Sequence, residues 1–126
     1  MPVSALRRPI ELSPQPAVAR RELARMLDDT HWTGDTDGAI LAVHEAMVNS
    51  QRHGGGVTRA TAGFDGRSLV VRVCDRGRGF EVPESPLRVD TAAERGRGLF
   101  LIRHLASDAR VVRAGNDVQL VLTFGP

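Results

Sequence analysis

The sequence predicts an α/β (α+β) two-layer sandwich: an antiparallel or mixed sheet packed on one side by three helices. Three observations carry that prediction. Apolar stripes at helical spacing fill the first half, two strand-like hairpins follow, and a glycine-rich stretch without any period separates them. At 126 residues the chain suits one domain with a real core, and 41% hydrophobic with 25% charged residues reads as globular.

Taken in order, residues 5–12 read as a short strand or an ordered tail. The expected organisation is residues 1–13 as that strand or tail and 14–126 as a single domain. Ser13 is placed to cap a helix whose first turn tolerates Pro14 and Pro16. Ala19, Leu23, Met26 and Leu27 then form its buried stripe, with Arg20, Arg21 and Arg25 largely outside it. A polar stretch interrupted by Trp32 ends this helix. The second helix begins near Asp35 or Thr36, either of which can cap free N–H groups, and Ile40, Val43 and Met47 share one face. It stops at His53, followed by Gly54, Gly55 and Gly56, and Gly54 suits the left-handed position after a helix end. Runs 57–62 and 68–74 read as strands joined by a turn through Asp65 and Gly66. Residues 75–97 form a long loop, and loops of that length in compact domains are usually functional. A third helix over 98–106 has Leu99, Ile102 and Leu105 in register. Runs 111–113 and 118–124 close the chain as a hairpin around Gly115, with Val118, Leu120, Leu122 and Phe124 on one face.

Charge and cysteine content narrow the function. The net charge is only +2, with acids and bases alternating, which argues against nucleic acid as a partner. No apolar run reaches the length of a membrane span. One cysteine, Cys74, cannot form an internal disulfide, so a reducing, cytoplasmic compartment is expected, and the thiol reads as a small core residue. All 17 basic residues counted as Lys plus Arg are arginine. The Walker A loop and the eukaryotic-type kinase fold each need a lysine to grip ATP, so both are excluded.

Three boxes carry chemistry. In the second helix Glu45 and Asn49 are four residues apart and stand one turn above the other. A carboxamide oxygen can coordinate Mg²⁺, and a carboxylate one turn away can orient or deprotonate a hydroxyl attacking a γ-phosphate. His53 reads as a helix C-terminal residue favoured by the dipole rather than as a catalyst. Next, Asp75 follows a strand and precedes Gly77 and Gly79. Its carboxylate can accept from the exocyclic amine of adenine, and the glycines let backbone approach the base. Last, Arg95, Gly96, Arg97, Gly98 and Leu99 open the third helix, where free N–H groups and the dipole favour an anion. Each box alone also reads as an ordinary helix face, turn or helix start. Their combination in this order points to a nucleotide.

That combination resembles the N, G1 and G2 boxes of the GHKL ATPase superfamily (gyrase, heat-shock chaperone, histidine kinase and the mismatch-repair protein MutL). The resemblance runs from about Ala17 to the C-terminus, and its His53-Gly54 ending is most similar to the anti-sigma-factor serine/threonine kinases. It implies the histidine-kinase-like ATPase fold, with ATP and Mg²⁺ as cofactors. It implies Asn49 as metal ligand, Glu45 as base, Asp75 with Gly77 and Gly79 at the adenine, and residues 95–99 over the phosphates. His53 joins the cofactor-binding set, and Thr123 would supply an adenine-side hydroxyl where the family's Gly-Thr pair is replaced by Gly115-Asn116. The implied partners are a sigma factor and an anti-anti-sigma protein of the STAS fold, and both a monomer and a homodimer stay open. A chain of this domain alone is expected, without a phosphoacceptor-histidine helix pair or a transducer domain. The alternative function is a non-catalytic module that binds its partner under nucleotide control.

Overall fold

A computed structural model describes residues 8–76 and 101–126. Chain order is β1 (Ile10–Leu12), α1 (Pro16–Asp29), α2 (Thr36–His53), β2 (Val57–Asp65) and β3 (Ser68–Asp75). A helical segment over residues 101–105, here α3, leads into β4 (Asp108–Ala114) and β5 (Asp117–Phe124). The five strands form one open sheet in the order β1-β2-β3-β5-β4, and every pairing is antiparallel.

Strand alternation decides which face meets the helices. Ala60 and Ala62 of β2, Leu69, Val71 and Val73 of β3, and Leu122 and Phe124 of β5 are all buried on that inner face. Against them lie Ala19, Leu23, Met26 and Leu27 of α1, Ala39, Ala42, Val43, Ala46 and Met47 of α2, and Ile102 of α3, in one hydrophobic cluster. The α1 stripe is the one its spacing predicts. On α2 the predicted Val43 and Met47 are buried, Ile40 packs at the margin, and three alanines complete the face. Small side chains there let the helix lie close to the sheet.

Two helix starts differ in how they are made. Ser13 is not the cap of α1; Gln15 holds that position, without a side-chain bond, and Pro16 opens the helix. Ser13 instead accepts from Gln15 N at 3.1 Å and donates its own amide to Glu22 Oε1 at 2.6 Å, turning the chain before the helix begins. Asp35 does cap α2, its Oδ1 accepting from Gly38 N at 3.0 Å. Asp37 in the first turn and Arg52 and His53 in the last complement the dipole. Asp35→Ala is expected to cost about 1 kcal/mol. That would appear as a lower urea midpoint at unchanged slope, and an unchanged midpoint would count against the cap.

The loop between the helices is pinned by Trp32, whose indole N–H donates to the Arg67 carbonyl at 2.9 Å in the β2–β3 turn. Gly66 and Gly115, both at positive φ, make the two hairpin turns where the sequence expects them. At the edge of the sheet Arg59 Nε donates to Glu11 Oε1 at 2.9 Å, tying β1 to β2. That hydrogen bond lowers the Glu11 pKa and raises that of Arg59. Both side chains are exposed, so solvent screens the pair. Cys74, expected in the core, is half-buried on the outer face of the sheet, where Gln119 Nε2 approaches its Sγ at 3.4 Å. Alternation puts it there, because Val73 and Asp75 take the inner positions. No helix among the described residues is long and apolar enough to cross a membrane.

Candidate nucleotide site

Helical spacing sets Glu45, Asn49 and His53 at i, i+4 and i+8 along one flank of α2, each half-buried. The stripe borders the buried Ala42 and Ala46, so it runs along the margin of the core rather than out into solvent. Asn49 Nδ2 is buried without a hydrogen-bond partner among the described residues. A carboxamide carries one oxygen and one nitrogen that a flip exchanges, so this buried amide has unused capacity for a ligand.

β3 delivers the second group. Its inner face runs Leu69, Val71, Val73, Asp75, so the carboxylate occupies a position the pattern otherwise gives to apolar residues. Asp75 is only 4% exposed. Its cross-strand neighbours are Val57 and Val118. A break in register between Val57 and Arg59 places Val57, rather than Thr58, opposite Asp75. Such an irregularity re-aims a strand end, and Thr58 Oγ1 closes it by donating to the Cys74 carbonyl at 3.2 Å. No pattern in the sequence announces it.

The end of α2 meets this carboxylate. A Cβ on Gly54 would fall 2.3 Å from Asp75 Oδ2, so the helix terminus rests directly on the carboxylate. This corrects the expected role of Gly54. Its φ is −102°, outside the left-handed region, and the left-handed turn falls instead on Gly55 (φ 81°) and Gly56 (φ 101°). Gly54 N and Gly56 N both donate to the Ser50 carbonyl, at 2.9 and 3.0 Å, closing the helix. The helix that carries Glu45, Asn49 and His53 therefore ends against Asp75.

Thr123 is not brought to this place. It pairs with Val70 and Asp108, whereas Asp75 pairs with Val118, five residues back along β5 and about 17 Å away at strand spacing. Its neighbours Leu122 and Phe124 point into the core, so Thr123 faces the outer side of the sheet. The last strand has the predicted inner face, and that face leaves Thr123 outside. Gly77 and Gly79, and Arg95, Gly96, Arg97, Gly98 and Leu99, lie outside the described residues. Ile102 of α3 is fully buried in the common core, which sets the described part of that helix on the same side of the sheet as α2. Two features escaped the sequence reading: the contact of Gly54 with Asp75 and the register break at Thr58. The glycine itself was visible; its neighbour was not.

A carboxylate accepts hydrogen bonds and cannot donate, so Asp75 would recognise a donor such as an amine. The carboxamide of Asn49 offers the oxygen-ligand chemistry that Mg²⁺ takes, usually together with phosphate oxygens. These donor types fit a magnesium nucleotide.

A three-helix layer on an open antiparallel sheet, with a buried carboxylate against the end of the helix that carries a buried carboxamide, suits a nucleotide-binding domain. The family model for the histidine kinase-like ATPase domain matches residues 11–122, and the chain belongs to that family. Membership implies nucleotide binding. No curated protein matches the chain in sequence. Among solved structures it is similar to the RsbU and RsbW domains of Rv1364c from Mycobacterium tuberculosis, at 20% identity and a TM-score of 0.64. The match covers 94% of this chain and 32% of that one, so the chain spans about a third of the neighbour's length. At this identity the likeness concerns the fold.

Proposed function

We propose that the protein is an ATP-dependent serine/threonine kinase and anti-sigma factor, acting on a STAS-type anti-anti-sigma partner. The observation that carries this reading is the seating of Gly54, where the helix bearing Glu45 and Asn49 ends, on the buried acceptor Asp75. The sequence resemblance to anti-sigma-factor kinases supports it, and so does a fold shared with a chain that carries an RsbW domain.

In this reading Asp75 accepts from the exocyclic amine of adenine, and Asn49 holds Mg²⁺ through its carboxamide oxygen. A magnesium ion held there would supply positive charge to offset that of the phosphates. Glu45 accepts the proton of the partner's serine hydroxyl as its oxygen bonds to the γ-phosphorus. The bond from that phosphorus to the bridging oxygen breaks, and ADP leaves. The family resemblance assigns Arg95, Gly96, Arg97, Gly98 and Leu99 to the phosphates and Gly77 and Gly79 to the base, with His53 as the last residue of the α2 stripe.

Incubation with labelled ATP and candidate STAS proteins from the same organism, followed by phosphosite mapping, tests the proposal. Acid-stable phosphoserine on one partner is expected. Acid-labile phosphohistidine would indicate transfer to a separate histidine protein. ATP binding without transfer to any candidate would favour the nucleotide-controlled binding module.

The surface of α1 supports a partner-binding role. Arg20, Arg21 and Arg25 are all exposed, and Arg21 and Arg25 line a groove of about 600 Å³ with Ile10, Met26 and the acidic Glu22 and Asp29. Three exposed arginines on one helix suit an acidic protein surface. Reversing all three with Arg20→Glu, Arg21→Glu and Arg25→Glu is expected to weaken capture of a cognate partner at least about tenfold while sparing ATP binding. Unchanged capture in a pull-down would make the patch an ordinary solvated helix face.

A further inference from the structure

We propose that Gly54 is a positioning residue for base recognition: its missing side chain lets the Asp75 carboxylate stand beneath the end of α2, facing an adenine amine. This rests on the nucleotide reading above.

The backbone at this point does not demand glycine. Gly54 has φ −102° and ψ 4°, angles open to an L residue, whereas the two glycines after it have positive φ. The demand is steric. A Cβ would lie 2.3 Å from Asp75 Oδ2, 2.6 Å from Cγ and 3.0 Å from Oδ1, so all three atoms of the carboxylate pack on the bare Cα. Neither partner retreats easily. The helix end is held by Gly54 N and Gly56 N on the Ser50 carbonyl, and Ser50 is itself buried. Asp75 sits at the last position of β3, paired on both sides, and is 4% exposed. What yields to an added methyl is the torsion of the short Asp75 side chain, and turning it moves both acceptor oxygens.

Reorienting an acceptor affects only ligands that donate to it. Adenine presents an amine at its 6-position, and a purine with hydrogen there presents nothing to lose. Gly54 therefore contributes to selectivity for the 6-amino group, and does so through Asp75 rather than by touching nucleotide.

The test is a calorimetric double-mutant cycle over Gly54→Ala and Asp75→Asn, titrated with Mg-ATP and with the 6-hydrogen purine riboside triphosphate. Gly54→Ala is expected to weaken ATP about tenfold, the scale of one hydrogen bond to a charged group, and to leave the 6-hydrogen analogue unchanged. In the Asp75→Asn background it is expected to add nothing. Equal losses for both ligands, full additivity, or wild-type ATP affinity in Gly54→Ala would each overturn the assignment. A wild-type chain that binds no nucleotide would instead overturn the nucleotide reading and this assignment with it. If Gly54→Ala does not fold, Gly54→Ala combined with Asp75→Ala removes the same clash. A restored melting temperature then supports the contact, and an unrestored one overturns it.

Discussion

Asn49→Ala is expected to lower Mg²⁺-dependent ATP affinity by about 100-fold while leaving the fold intact, on the scale seen when a metal site loses a supporting group. The two halves of that expectation have one source. Asn49 lies on the margin of the core, and its Nδ2 is buried with no partner among the described residues. Among the described residues truncation breaks no hydrogen bond of that nitrogen, so little stability should be lost. On the proposed reading the oxygen that would hold Mg²⁺ is lost with it. Calorimetry with saturating Mg²⁺ and again with chelator separates the effects: the variant should show the same weak binding in both, whereas the wild type should show a large difference. Wild-type affinity in Mg²⁺ would remove the metal assignment.

Glu45→Ala is expected to behave in the opposite manner, binding ATP normally but transferring phosphate about 10²- to 10⁴-fold more slowly, the usual contribution of a general base. Glu45 stands one helical turn before Asn49 on the same flank, so a hydroxyl approaching phosphate at Asn49 comes within its reach. The Gly54–Asp75 junction lies nine residues further on, about 13 Å along the helix axis, and ground-state binding should therefore be spared. Single-turnover phosphorylation of the cognate partner, with ATP affinity measured alongside, distinguishes lost chemistry from lost binding. Undiminished transfer would remove Glu45 from the mechanism.

Much of this molecule was legible in its sequence because local periodicity is enough to orient regular elements. The stripe of Ala19, Leu23, Met26 and Leu27, the cap at Asp35 and the inner face of β5 all follow from spacing and short-range hydrogen bonding. Absence of lysine excluded two ATP scaffolds without any coordinates. The vertical order of Glu45, Asn49 and His53 on α2 is equally a property of helical pitch.

Where those elements meet was not legible, because contacts between distant residues carry no period. Ser13 looked like a cap, yet the chain turns there on Glu22 and the cap position falls two residues later, at Gln15. Thr123 was a plausible hydroxyl until pairing set it against Val70, on the far side of the sheet from the helices. Cys74 read as core until alternation put it on the outer face. The sequence by itself determined the element types, the buried stripes and the order of the chemical groups. Only tertiary structure decided that the end of α2 rests on Asp75, since that depends on sheet register, a register break at Thr58 and the room left by one missing Cβ.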